Sequence, residues 1–166
     1  MRRARGSARD TAHRFEASAT VPLPPDAAFA LVADVRNHDR WIPLTRGRFP
    51  DAPPGPLPRG ARFTMLSTPG IVDRMIVTDV AGDQSTSLST TFRKVGSLLN
   101  GVAGIEVRPG ATAGTSQITW WEDVHLAGPL PARLTRAVVG PFLVLMLRYA
   151  LRGVVREITA PAATRR

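Results

Sequence analysis

The chain has 166 residues, 43% hydrophobic and 21% charged, with no cysteine. That length buries a core without a disulfide or metal staple, and the missing thiols exclude disulfide frameworks, thiolate metal sites, iron–sulfur clusters and cysteine nucleophiles. The formal charge of +9 raises nucleic acid as a partner, but the distribution argues against a specific one. Arg2, Arg3, Arg5, Arg9, Arg165 and Arg166 sit at the two ends, which leaves 16 basic residues against 13 acidic ones. Those are scattered rather than clustered on one element with interleaved aromatics, as a phosphate track requires. His13, His38 and His125 have no ligand-type spacing, so no metal site is expected.

Residues 1–11 read as a disordered basic tail and 161–166 as a second disordered tail, with one domain over 12–160. The alternation of Phe15, Ala17, Ala19 and Val21 predicts a strand over 13–21. Pro22, Pro24 and Pro25 end it. A helix starts at Asp26, with Ala27, Ala28, Leu31 and Val32 as its buried stripe. Asp34 or Asn37 caps a second short helix that ends near Trp41. Five prolines make residues 50–60 a loop. Strand patterns then cover 61–67, 71–80, 85–94, 102–108 and 115–126, joined by short turns that favour antiparallel neighbours. A terminal helix follows residues 128–131. Gly140-Pro141 is expected to break it, leaving a long amphipathic helix over about 141–159. There Leu143, Leu147, Leu151, Val154 and Ile158 share one face, opposite Arg148, Arg152 and Arg156. The apolar run 137–147 is too short to span a bilayer and no signal sequence precedes it, so no transmembrane segment and a cytoplasmic location are expected.

This order is α+β: a curved antiparallel sheet wrapped around a long C-terminal helix, with two short helices after the first strand. One helix does not fill a concave sheet, so a cavity for a small hydrophobic ligand is expected between them. Strand alternation points Phe63, Met65, Asp73, Met75, Trp120 and Glu122 inward. Leu143 and Leu147 face them from the helix, and Trp41 stands at the end of the second short helix. Asp73 and Glu122 are the most informative of these, as carboxylates among apolar neighbours. They are either ligand anchors and acid/base groups, or carboxylates paired structurally with a cation. His38 reads as an exposed histidine flanking a helix, Lys94 as a charge at the pocket rim, and Trp121, Asp123 and His125 as outward-facing.

Several segments resemble the START/birch-pollen-allergen-like (SRPBCC) superfamily, in particular its polyketide cyclase/dehydrase and lipid-transport branch. They are residues 21–34, from Val21-Pro22 through Pro25-Asp26-Ala27-Ala28-Phe29 to Asp34; His38 to Pro43 around Trp41; Gly60-Ala61-Arg62-Phe63; Val72 to Asp79; Trp120-Trp121-Glu122-Asp123-Val124; and Gly128-Pro129-Leu130. The resemblance implies a helix-grip fold with a hydrophobic pocket. It implies no cofactor and no single activity, because the superfamily holds both carriers and enzymes. Three readings stay open: a binder of a lipid, polyketide or aromatic metabolite; an aromatase/cyclase or dehydratase using pocket carboxylates; and an interaction module that forms a homodimer through the C-terminal helix.

Overall fold

The computed structural model describes residues 14–160; both tails expected from the sequence, 1–11 and 161–166, lie outside the described residues. Seven strands form one antiparallel sheet in the order β1-β7-β6-β5-β4-β3-β2. They are β1 (Phe15–Val21), β2 (Thr45–Arg48), β3 (Arg62–Ser67), β4 (Ile71–Asp83), β5 (Ser87–Val95), β6 (Leu99–Pro109) and β7 (Ser116–Leu126). Helix α1 (Pro25–Ala33), a 3₁₀ turn (Val35–Asn37) and α2 (His38–Trp41) follow β1, and α3 (Ala132–Thr159) closes the chain. This is the expected helix-grip arrangement, a curled sheet holding one long helix.

Alternation builds the interior. Ala17 and Val21, Phe63 and Met65, Met75 and Val77, Phe92, Ala103 and Ile105, Ile118 and Trp120 are all buried, as are Leu143, Leu147, Leu151 and Val154 from α3. Removing these apolar surfaces from water is the main driving force for the grip. A bulge between Val77 and Asp79 shifts the β4–β5 register. It lets the long β4 bend, as an extra residue in one strand does. The proline-rich loop is tied down by Asp34. Its carboxylate accepts from the Gly55 amide at 2.8 Å and from Arg36 at 2.9 Å. Burial favours the neutral acid, but these donors outweigh it and hold the Asp34 pKa below the ordinary aspartate value.

Two expectations change. Thr45–Arg48 is a short edge strand that the sequence pattern does not announce. The terminal helix is also continuous over 28 residues, with Pro141 inside it. Pro141 and Ala137 are both exposed, so water satisfies the carbonyl that Pro141 has no N–H to serve, and the ring meets no packed neighbour. In consequence α3 is long and apolar enough by composition to cross a bilayer, unlike the short run expected. Its Leu143–Leu147–Leu151–Val154 line is nevertheless buried in the grip, where α3 packs on β1 and β7.

The far end of α3 is clamped by α2. Trp41 donates its indole N–H to Glu157 at 2.7 Å, and Arg40 pairs with the other oxygen of Glu157 at 2.9 Å. Gly153 gives the indole its room: a Cβ there would lie 3.2 Å from the Trp41 ring. Gly153→Leu is therefore expected to push α2 off the helix. We expect a loss of about 1–3 kcal/mol, read as a lower midpoint in urea unfolding. An unchanged midpoint would mean that the clamp does not contribute to stability.

Candidate functional site

The two inward carboxylates meet a cation. Asp73 on β4, Lys94 on β5 and Glu122 on β7 converge on the concave floor of the sheet. The Lys94 Nζ lies 2.6 Å from Asp73 Oδ2 and 3.2 Å from Glu122 Oε2. Lys94 and Glu122 are almost fully buried and Asp73 nearly so. The topology explains how the lysine reaches so far. Strand β6 lies between β5 and β7 and places Gly101 beside Lys94 and Ala103 beside Glu122. Two strand spacings are about 9.6 Å, and a lysine stem covers that gap only over small residues.

Burial works against the Lys94 ammonium. The charges of Glu122 and Asp73, with their hydrogen bonds, outweigh it and hold the pKa above the ordinary lysine value. Lys94 is thus a buried cation on the floor rather than the rim charge expected. With all three groups ionised, the cluster carries one excess negative charge. Asp73 Oδ1 is buried and has no hydrogen-bond partner among the described residues. An unmatched acceptor in an apolar interior is costly, so this atom is positioned to accept from a donor not supplied by the surrounding side chains.

A second polar feature lies along the same strand. His38, read from the sequence as exposed, is buried. Its Nε2–H donates to the Val32 carbonyl at 2.8 Å, and its ring sits 4.5 Å from that of Trp120. Burial pushes the imidazole down to about 4, against the weaker opposing pull of the Val32 carbonyl, Asp34 and Asp39. His38 is therefore neutral at physiological pH. Trp120 is two residues from Glu122 on the same strand face, which links this aromatic corner to the ion cluster.

Of the residues singled out from the sequence, Trp41, Phe63, Met65, Met75, Trp120 and Leu147 belong to one buried cluster. Leu143 is buried outside it. Trp41 serves the α2–α3 clamp. On the opposite sheet face, Trp121 points outward as expected but is covered by Arg14, whose guanidinium lies 3.9 Å from the ring centre. Gly104 leaves room for that ring. Asp123 also points outward, yet it is engaged by Arg136 of α3 at 3.0 Å. Two open clefts lie elsewhere. One of about 360 Å³ runs between β1 and α3, and one of about 900 Å³ lies at the β2–β3 edge near Leu44 and Ile71. None of the nine expected pocket residues lines either cleft.

The model of the family described as polyketide cyclase / dehydrase and lipid transport matches residues 12–159. The chain belongs to this family. Solved structures with the same fold are recognisable at low identity. A hypothetical protein from Helicobacter pylori superposes with a TM-score of 0.68 at 13% identity, covering 87% of each chain. The protein XoxI from Bacillus cereus gives 0.65 at 12%, covering 89% of this chain and 96% of that one. DynU16, described as a putative protein in the dynemicin biosynthetic locus, gives 0.56 at 14%, covering 89% of this chain and 48% of its own. At such identities these likenesses speak for the fold alone. No curated protein matches the chain. The family description is consistent with binding of a hydrophobic small molecule, and it names no ligand or catalytic group for this chain.

Proposed function

We propose that this family member binds a small hydrophobic molecule between the sheet and α3, and that the ligand carries a hydroxyl or phenol that donates to Asp73. The observation that carries the reading is the buried Asp73–Lys94–Glu122 cluster, with one excess negative charge and a free acceptor at Asp73 Oδ1. A donor head group satisfies that atom. A carboxylate head group would add a second unmatched negative charge. Met65 and Met75 beside Phe63 supply side chains that repack readily around an apolar body.

The test is quenching of tryptophan fluorescence by 2-naphthol and by 2-naphthoate, which share a ring system and differ in head group. Saturable quenching by naphthol, with naphthoate at least about tenfold weaker, is expected from one lost charge-assisted hydrogen bond. Glu122→Gln keeps the shape and removes the excess charge. It is expected to narrow the naphthol preference several-fold while leaving the fold intact by circular dichroism. Equal affinities for the two compounds, or no saturable quenching by either, would sink the proposal.

A second reading is favoured by the same lysine between two carboxylates. Under it Asp73 would remove a proton beside a ligand carbonyl and Lys94 would stabilise the developing enolate, which is the opening step of a dehydration or cyclisation. Under this reading a β-hydroxyketone loses water to give an enone, followed by its ultraviolet absorbance. No rate above that of an Asp73→Asn variant would reject it.

A further inference from the structure

We propose that the outer face of α3 docks the protein on an anionic membrane surface. Leu134, Val138, Phe142, Leu145 and Tyr149 form one line on this helix, and they are between 47% (Tyr149) and 70% (Val138) exposed. At about 100° per residue, the line lies roughly 160° around the helix from the buried Leu143–Leu147–Val154 line. The sheet therefore offers it no cover. An apolar stripe of this length on a soluble surface marks an interaction site.

The charges around the stripe select the occupant. Arg152 and Arg156 continue the same line toward the C-terminus, and Arg148 flanks it on the side of β1. None of the three is within ion-pair distance of a carboxylate among the described residues. The one acid of α3, Glu157, is already held by Arg40 and Trp41. Arg148, Arg152 and Arg156 also line the cleft of about 360 Å³ against Ser18 of β1. A second copy of this chain would cover the apolar stripe but bring no free acid from α3 to meet these arginines. A nucleic acid would neutralise the arginines but leave the apolar stripe in water. A layer of anionic phospholipid satisfies both, with the stripe at the acyl boundary and phosphates at the arginines. This surface is separate from the interior site, so it stands or falls independently of the ligand proposal.

The test is flotation of the full chain with vesicles of phosphatidylcholine alone and of three parts phosphatidylcholine to one part phosphatidylglycerol. Binding is expected to the second and at least about tenfold weaker to the first. The double variant Phe142→Ser with Leu145→Ser removes exposed apolar area only, and is expected to weaken binding by about tenfold or more. Arg148→Glu with Arg152→Glu is expected to remove the preference for phosphatidylglycerol. All substituted residues are exposed, and unchanged circular dichroism will confirm the fold. Four results would overturn the proposal. One is no vesicle binding, and another is equal binding to both vesicle types. A third is binding unaltered by either double variant, which would assign it to the terminal arginines. The last is a dimer in light scattering that the serine variant dissolves, which would make the stripe a contact between copies.

Discussion

Lys94→Met is expected to destabilise the protein by about 3–5 kcal/mol, the cost of removing the cation from a buried ion cluster. The substitution keeps the apolar stem and deletes the ammonium. Asp73 and Glu122 would then share the floor of the sheet as two carboxylates with no counter-charge among the residues described around them. For a chain of this size the loss corresponds to a melting midpoint lower by roughly 8–15 °C. The deficit should depend on pH in a definite direction. Without Lys94, the folded variant gains by taking up a proton that the unfolded chain does not need at the same pH. Its stability then rises as pH falls, relative to the parent protein. The gap in melting temperature between variant and parent should therefore shrink from pH 7 to pH 5. The triple variant with Asp73→Asn and Glu122→Gln removes the stranded charges and should recover most of the loss. A Lys94→Met protein that melts with the parent at pH 7, or whose deficit ignores pH, would show that the cluster is not electrostatically closed.

Much of this cluster was legible because strand alternation is a local property. Asp73 shares a face with Met75 and Val77, and Glu122 shares one with Trp120 and Val124, whatever the neighbouring strands do. Their inward placement follows from spacing alone. The pairing with Lys94 does not. It depends on β5 and β7 standing two strands apart across Gly101 and Ala103, and cross-strand register is set by distant pairing and by the bulge near Thr78. Two local signals pointed the same way: Lys94 is in phase with the buried Phe92, and it is the only lysine in a chain with 21 arginines. A lysine stem is the flexible cation that fits a narrow apolar gap, where a guanidinium fork needs more room.

The misread helix and histidine share one cause. Gly140-Pro141 looks like a break when only propensity is weighed, but a proline on the solvent side of a packed helix leaves its orphaned carbonyl to water. The burial of Gly140 is itself tertiary, since a side chain there would meet the Phe15 ring. His38 sits between Asn37 and Asp39, a polar setting that reads as surface. Its burial comes from Val32 and Trp120, partners supplied by α1 and β7. Neither contact has a signature in the flanking residues.

That burial gives the protein an acid-sensitive core. His38 titrates near 4 in the folded protein and near 6.5 in an unfolded chain. Between those values the unfolded state binds a proton that the folded state refuses, so stability falls as pH drops from about 6.5 to about 4. The full difference amounts to about 3 kcal/mol. Asp34 acts in a lower window. Its depressed pKa contributes stability that is present above the ordinary aspartate value and lost only as pH falls through the folded one. The two groups are therefore separable along the pH axis. Urea unfolding across pH 7 to 4 should show the parent losing stability throughout this range. His38→Gln retains a donor for the Val32 carbonyl and cannot be protonated, so its curve should be nearly flat until the carboxylates begin to titrate. Parallel slopes for parent and variant would place the acid sensitivity elsewhere and leave His38 a packing residue only.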